Sequence, residues 1–289
     1  MSTMFRGLWL TVVYVFLCVA GASLLAWALH GIGDFSYEKI LSRSVLLFAA
    51  ILLIPLSRLV ALTRQDVGLT PIQWRPLMYA WPVGLVTLAP LILLFGVTGF
   101  RVLDDRVVYL GSEFLLFVVG ACVGAMLVSL FEEILFRGVL LSAMSRTTGF
   151  AVAATVSSLL YSGVHFFGSE VEFTSAVTWY SGLTHAAAAF AATSADLAEW
   201  DSFVSLFILG ILLCVVRQRY GLWWCIGLHW VWVLVIRTFK EVTVRDVVNP
   251  YQAWVGNYDN FVGHGATLWI MFIFVVLALS RQVQQARSD

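Results

Sequence analysis

Charge is what this 289-residue chain has least of: its 17 Lys and Arg cancel its 17 Asp and Glu, and together they make up 12% of the residues. A soluble domain carries about 25%. With zero net charge and no basic run, nothing offers the cationic face that nucleic-acid binding requires. Cysteine is scarce too. Cys18, Cys122, Cys214 and Cys225 all fall in apolar runs and none forms a Cys-x-x-Cys pair, so they read as small buried hydrophobes rather than a zinc cluster. No internal repeat relates one half of the chain to the other, which weakens a transporter reading. Low-complexity segments are also lacking.

What is abundant is apolar surface: 61% of the residues are hydrophobic and the mean hydropathy is +0.90. At roughly 20 apolar residues per crossing, spans are expected near Leu8–Leu29, Val45–Leu62, Leu77–Phe100, Phe114–Met144, Phe150–Phe167, Phe203–Val216, Leu222–Phe239 and Ala266–Ser280. The expected architecture is all-α, a polytopic transmembrane helical bundle of about eight spans within one integral membrane domain, 1–289. It divides into N-terminal spans (8–113), a core (114–238) and a loop with the last span (239–289). The first apolar run is too long for a cleaved signal and is expected to be retained. The alanine-rich stretch Thr174–Ala192 reads as re-entrant, interfacial or a ninth span, and loop charge favours the first two. Arg6, Arg58, Arg64, Arg75, Arg146, Arg217, Arg219, Arg281 and Arg287 then collect on one side, so under the positive-inside tendency the N-terminus is expected in the cytoplasm, and the expected location is a bacterial inner membrane.

The stretch that needs explaining is Leu130-Phe131-Glu132-Glu133-Ile134-Leu135-Phe136-Arg137-Gly138, three charges inside an apolar run. An ionisable side chain at membrane depth costs at least ~2.5 kcal/mol and ordinarily pairs, faces a bundle interior or does chemistry. On a helix Glu133 and Arg137 sit at i and i+4, a spacing suited to an ion pair, while Glu132 points about 100° away. An intramembrane ion pair that locks two helices would account for Glu133 and Arg137 but leaves Glu132 over.

Thr148-Gly149 breaks the helical pattern, and Glu132 and His165 lie about equally far from it on either side. An antiparallel hairpin would therefore bring the two to the same depth. A carboxylate and an imidazole meeting in an apolar cavity can polarise a water molecule, the carboxylate taking its proton and later returning it to a leaving amine. His229 lies well inside a later span, where it could stabilise an oxyanion or complete a metal site. His30, His185 and His264, at span ends or in loops, read as structural, and the tryptophan-rich stretch Trp223 to Trp232 reads as packing.

Glu132-Glu133-x-x-x-Arg137-Gly138, the aromatic-x-x-x-His step from Tyr161 to His165, and Gly227 followed by His229 in a later span together resemble the motifs of the CPBP intramembrane proteases. That family, also called Abi, includes the type II CAAX prenyl endopeptidases, and the likeness covers about Phe114 to Ile236. The resemblance implies a four-helix catalytic core and a glutamic-type endopeptidase without cofactor. It further implies that Glu132 and His165 activate water and that His229 stabilises the oxyanion with the residue four positions on. Glu133 and Arg137 would be supporting members. Position 233 departs from the family pattern, since Val233 stands where the family has an asparagine.

The expected partners are the lipid bilayer and a membrane-anchored or lipidated protein substrate cut near its C-terminal end, with no nucleic acid. The loops Glu170–Asp201 and Asn249–Gly265 would contribute specificity. Two alternatives stay open. One is a metal-dependent protease using His165, His229 and a glutamate as ligands; the other is a non-catalytic scaffold that binds hydrophobic tails, a reading that Val233 motivates.

Overall fold

A computed structural model describes residues 3–32, 35–105, 111–166, 176–195, 200–250, 252–256 and 258–285. Glu170, Glu172, Asp196 and Glu199 of the expected acidic loop lie outside them. The chain forms helices α1 (Thr3–Leu29), α2 (Tyr37–Leu59), α3 (Arg64–Val67) and α4 (Trp74–Val97), then a short strand β1 (Arg101–Leu103). Helix α5 (Ser112–Glu133) runs on as a π-helical segment (Ile134–Leu140) into α6 (Leu141–Thr148), followed by α7 (Phe150–His165) and α8 (Ser181–Ala195). Helices α9 (Trp200–Tyr220) and α10 (Leu222–Val242), strand β2 (Thr243–Arg245), a 3-10 turn (Gln252–Val255) and α11 (His264–Gln285) complete it.

Six helical stretches among the described residues are long and apolar enough to cross a membrane, and α7 and α11 supply two shorter apolar helices where the other two spans are expected. The protein is an integral, multi-pass helical membrane protein. Pro55 lies inside α2, and Pro82 and Pro90 lie inside α4. Membrane helices tolerate such prolines because neighbouring helices re-satisfy the freed carbonyls. The uncertain alanine-rich stretch contains α8, whose 15 residues rise about 22 Å, short of the ~30 Å hydrocarbon core.

The fold divides into two compact units, one made of residues up to Val67 with Ile134 to Trp200, the other of Gly68 to Glu133 with Asp201 onward. In the first, α1 packs on α2 around Ala22, Ala26, Tyr37 and Leu41, and the Tyr14 hydroxyl donates to the Ala49 carbonyl at 2.7 Å. Ser23 fastens the start of α8 to α1: its hydroxyl donates to Trp179 O at 2.6 Å and accepts from Gly182 N at 2.9 Å. Gly149, at φ +81°, supplies the expected break between α6 and α7. The hairpin that results is closed by Ser157 donating to Phe136 O at 2.9 Å.

At one end of this unit Arg146 pairs with Asp66 at 2.7 Å and donates to the carbonyls of Val60 and Ala61. Asp66 also accepts from the hydroxyl and amide of Thr63. Those Thr63 bonds first, and then the Arg146 guanidinium, hold the Asp66 carboxyl down at about 2.

In the second unit α10 is the central helix, packed against both α4 and α5. Gly227 permits the close approach to α4, since a Cβ there would meet Ala80 Cβ at 2.6 Å and Leu77 O at 2.7 Å. Around it Leu88, Phe95, Leu213, Val231, Trp232 and Phe261 form a continuous core. Two indole N–H groups of α10 are answered: Trp230 donates to Cys122 O at 3.0 Å and Trp232 to Thr87 Oγ1 at 3.1 Å.

β1 and β2 pair antiparallel, with Arg101 opposite Arg245. The stretches between the expected spans thus contain a ladder, which three-residue strands are too short to announce. Arg101 is buried there and donates to Thr243 Oγ1 at 2.8 Å, Thr243 O at 2.7 Å, Asn260 O at 3.2 Å and Lys240 O at 3.3 Å. Burial pulls its pKa down, and the Asp259 carboxylate partly offsets this.

Candidate functional site

The site is built on the last turn of α5 and the middle of α10. Three contacts join these helices: Glu133 with His229, Cys122 with Trp230, and Gly124 with Arg237, whose Nη1 lies 3.2 Å from where a Gly124 Cβ would stand.

Glu133 is 0% exposed and His229 4%. Glu133 Oε1 lies 2.8 Å from His229 Nδ1, a charge-assisted hydrogen bond in geometry and in partners. An ionised carboxylate only accepts, so Nδ1 carries the proton; in the neutral imidazole Nε2 is then the lone-pair nitrogen. That nitrogen faces Glu132, whose Oε2 is 3.9 Å away, close but outside hydrogen-bond distance. The Glu132 side chain is 18% exposed, and its Oε2 is buried with no hydrogen-bond partner among the described residues. Of the two adjacent carboxylates, one locks the imidazole and the other is held next to its opposite nitrogen.

Arg137 and His165 belong to the first unit. Arg137 is fully buried, with its guanidinium carbon 4.2 Å from the centre of the Tyr161 ring, a cation–π contact. His165 sits one turn beyond Tyr161 on α7; its Nδ1 lies 2.7 Å from the Tyr161 carbonyl and its ring packs on the tyrosine at 4.6 Å between centres. A carbonyl accepts only, so here too Nδ1 is the donor and Nε2 the lone-pair nitrogen of the neutral ring.

Glu132, Glu133 and His229 are brought together by α5 and α10. Val233 lies one turn past His229 on α10 and offers no polar atom. Among the described residues no group of three or more His, Cys, Asp or Glu side chains is arranged to hold a metal ion. Sequence reasoning missed Ser129, which precedes the glutamates by three and four residues and so shares their helix face; that spacing was the available signal.

Residues 112–235 match the family model described as type II CAAX prenyl endopeptidase, Rce1-like. This segment is similar to the CAAX-protease family. The match takes in Glu132, Glu133, Arg137, His165, His229 and Val233 and corresponds to the stretch whose motifs carry the resemblance. No curated protein and no solved structure matches the chain. At the level of the family, the CAAX-protease domain is an intramembrane endopeptidase domain.

Proposed function

We propose that this protein cuts a membrane-anchored or lipidated protein substrate near its C-terminal end, with Glu132 as the base that takes a proton from the attacking water. The supporting observation is the buried, unpartnered Oε2 of Glu132 set 3.9 Å from Nε2 of an imidazole that Glu133 holds. Two atoms that far apart can share one water at about 2.8 Å from each. Nε2 accepts one of its protons as a hydrogen bond, and the carboxylate accepts the other.

The water oxygen bonds to the scissile carbonyl carbon as its proton passes to Glu132 and the C=O electron pair moves to oxygen. Collapse of the tetrahedral intermediate re-forms C=O and breaks the C–N bond. The Glu132 proton goes to the departing nitrogen, leaving a carboxylic acid and an amine. A neutral His229 orients water through Nε2, and an imidazolium donates from Nε2 to the oxyanion, the role implied by the resemblance. Glu133 acts through His229 as a positioning residue.

The family description supplies the substrate class, a prenylated tail, as the first to try. The proposed location is a bacterial inner membrane with the N-terminus in the cytoplasm, supported by the distribution of Arg over the loops. Purified protein, Glu132→Ala and His165→Ala are to be compared on peptides with prenylated and unmodified tails. Loss of cleavage in Glu132→Ala is expected, and His165→Ala tests the role implied for it. Unchanged cleavage in both variants would sink the assignment. A non-catalytic scaffold is the second reading, favoured by Val233, and it requires Glu132→Gln to retain full cellular function.

A further inference from the structure

The reaction above develops negative charge on the carbonyl oxygen, and the Val233 side chain has no hydrogen to donate to it. Ser129 is a hydroxyl on the same helix face as both glutamates. It is 0% exposed, and its Oγ has no hydrogen-bond partner among the described residues. That is unusual for a serine inside a helix, where the hydroxyl ordinarily bonds a carbonyl one turn back; Thr11, Thr98 and Thr155 in this chain each do so. A buried hydroxyl left without a partner loses its hydration and gains nothing in return, so a site that keeps one has a use for it.

Glu133 meets His229, and Ser129 lies one turn, about 6 Å, before Glu133 on the same helix.

We propose that Ser129 is a further catalytic residue whose O–H donates a hydrogen bond to the substrate's carbonyl oxygen, strengthening as that oxygen becomes an oxyanion. The step transfers no proton: the Ser129 hydrogen stays on Oγ while water adds to the carbon and Glu132 takes the water's proton. The proposal rests on the endopeptidase reading above.

The test compares the full-length wild type with Ser129→Ala, Ser129→Thr, Ser129→Ala/Val233→Asn and Glu132→Gln. The assay uses a pool of synthetic peptides with prenylated and unmodified C-terminal tails in detergent micelles. Ser129→Ala is expected to lower kcat by about 100-fold while KM and the pH profile stay as in the wild type. Its thermal midpoint should be equal or higher, because the change removes an orphaned polar atom. Ser129→Thr keeps the hydroxyl and recovers most of the rate. In the double variant an amide donor enters from the facing helix and restores part of what Ser129→Ala loses.

A Ser129→Ala enzyme with wild-type kcat overturns the proposal while leaving the Glu132 reading standing, provided Glu132→Gln is inactive. A lowered midpoint together with lost activity also overturns it, by making Ser129 structural. Absence of cleavage by the wild type, or unchanged cleavage by Glu132→Gln, overturns both.

Discussion

Replacing Glu133 by glutamine tests whether its bond to His229 is part of the chemistry or of the scaffold. The two side chains are 0% and 6% exposed and meet at 2.8 Å, so the substitution keeps shape and acceptor but removes the charge. A hydrogen bond to a charged group contributes about 1.5–3 kcal/mol and a neutral one about 0.5–1.5, which puts the loss near 1–2 kcal/mol. That corresponds to roughly a 5- to 30-fold fall in kcat. Folding should be unharmed, because a buried amide costs less to desolvate than a buried carboxylate. The assay is kcat for the wild type, Glu133→Gln, His229→Gln and the double variant, each with its thermal midpoint. Partners in one hydrogen bond give a coupling of about 0.5–3 kcal/mol, whereas independent sites add within about 0.5 kcal/mol. Additive losses, or a drop in midpoint that tracks the drop in kcat, would refute the positioning role.

Arg101→Met should destabilise the second unit by about 3 kcal/mol, since it strands the carbonyls and hydroxyl that the guanidinium now satisfies; denaturant unfolding in detergent measures it. Asp66 carries a folded-state pKa depressed from 3.8 to about 2. The stability it contributes is therefore present above about pH 4 and disappears as pH falls through about 2. The difference in thermal midpoint between wild type and Asp66→Asn should be constant at pH 5–7 and vanish toward pH 2. Gly227→Ala presses a methyl group against Ala80 and the Leu77 carbonyl; a cost of about 1–3 kcal/mol is expected. It should also lower activity, as His229 lies two residues on.

The helices were legible because apolar runs mark them directly. The span expected at Leu222–Phe239 is α10, Leu222–Val242, which starts at Gly221 with φ +95°. The span expected to reach Phe100 stops at Val97, where Thr98 closes the last turn and Gly99 turns the chain at φ +70°. The π-helical segment was invisible. Ile134 to Leu140 carries no proline and no break in hydropathy, and a 3.6-residue period was assumed throughout. π-Helical turns are rare and concentrate at functional sites, and this one begins immediately after Glu133.

The candidate site was legible in part for a similar reason. Residue type and depth singled out Glu132, Glu133 and His229, because charge and imidazole inside an apolar run stand out. Spacing along one helix offers Glu133 only Arg137. Its bond to His229 joins residues 96 apart in the chain and depends on how α5 registers on α10, which no local pattern encodes. Ser129 gave no sign of its own, since a serine in a membrane helix is ordinary until its hydroxyl proves to lack a partner.

The central claim is that the Glu132 carboxylate is the base. Cleavage of one identified scissile bond, followed by mass spectrometry, compares wild type with Glu132→Gln at equal amounts of folded protein. The account predicts a loss on the order of 10³-fold with substrate binding retained. Cleavage of the same bond at a rate within about tenfold of the wild type would contradict it, because a buried amide cannot take the water's proton.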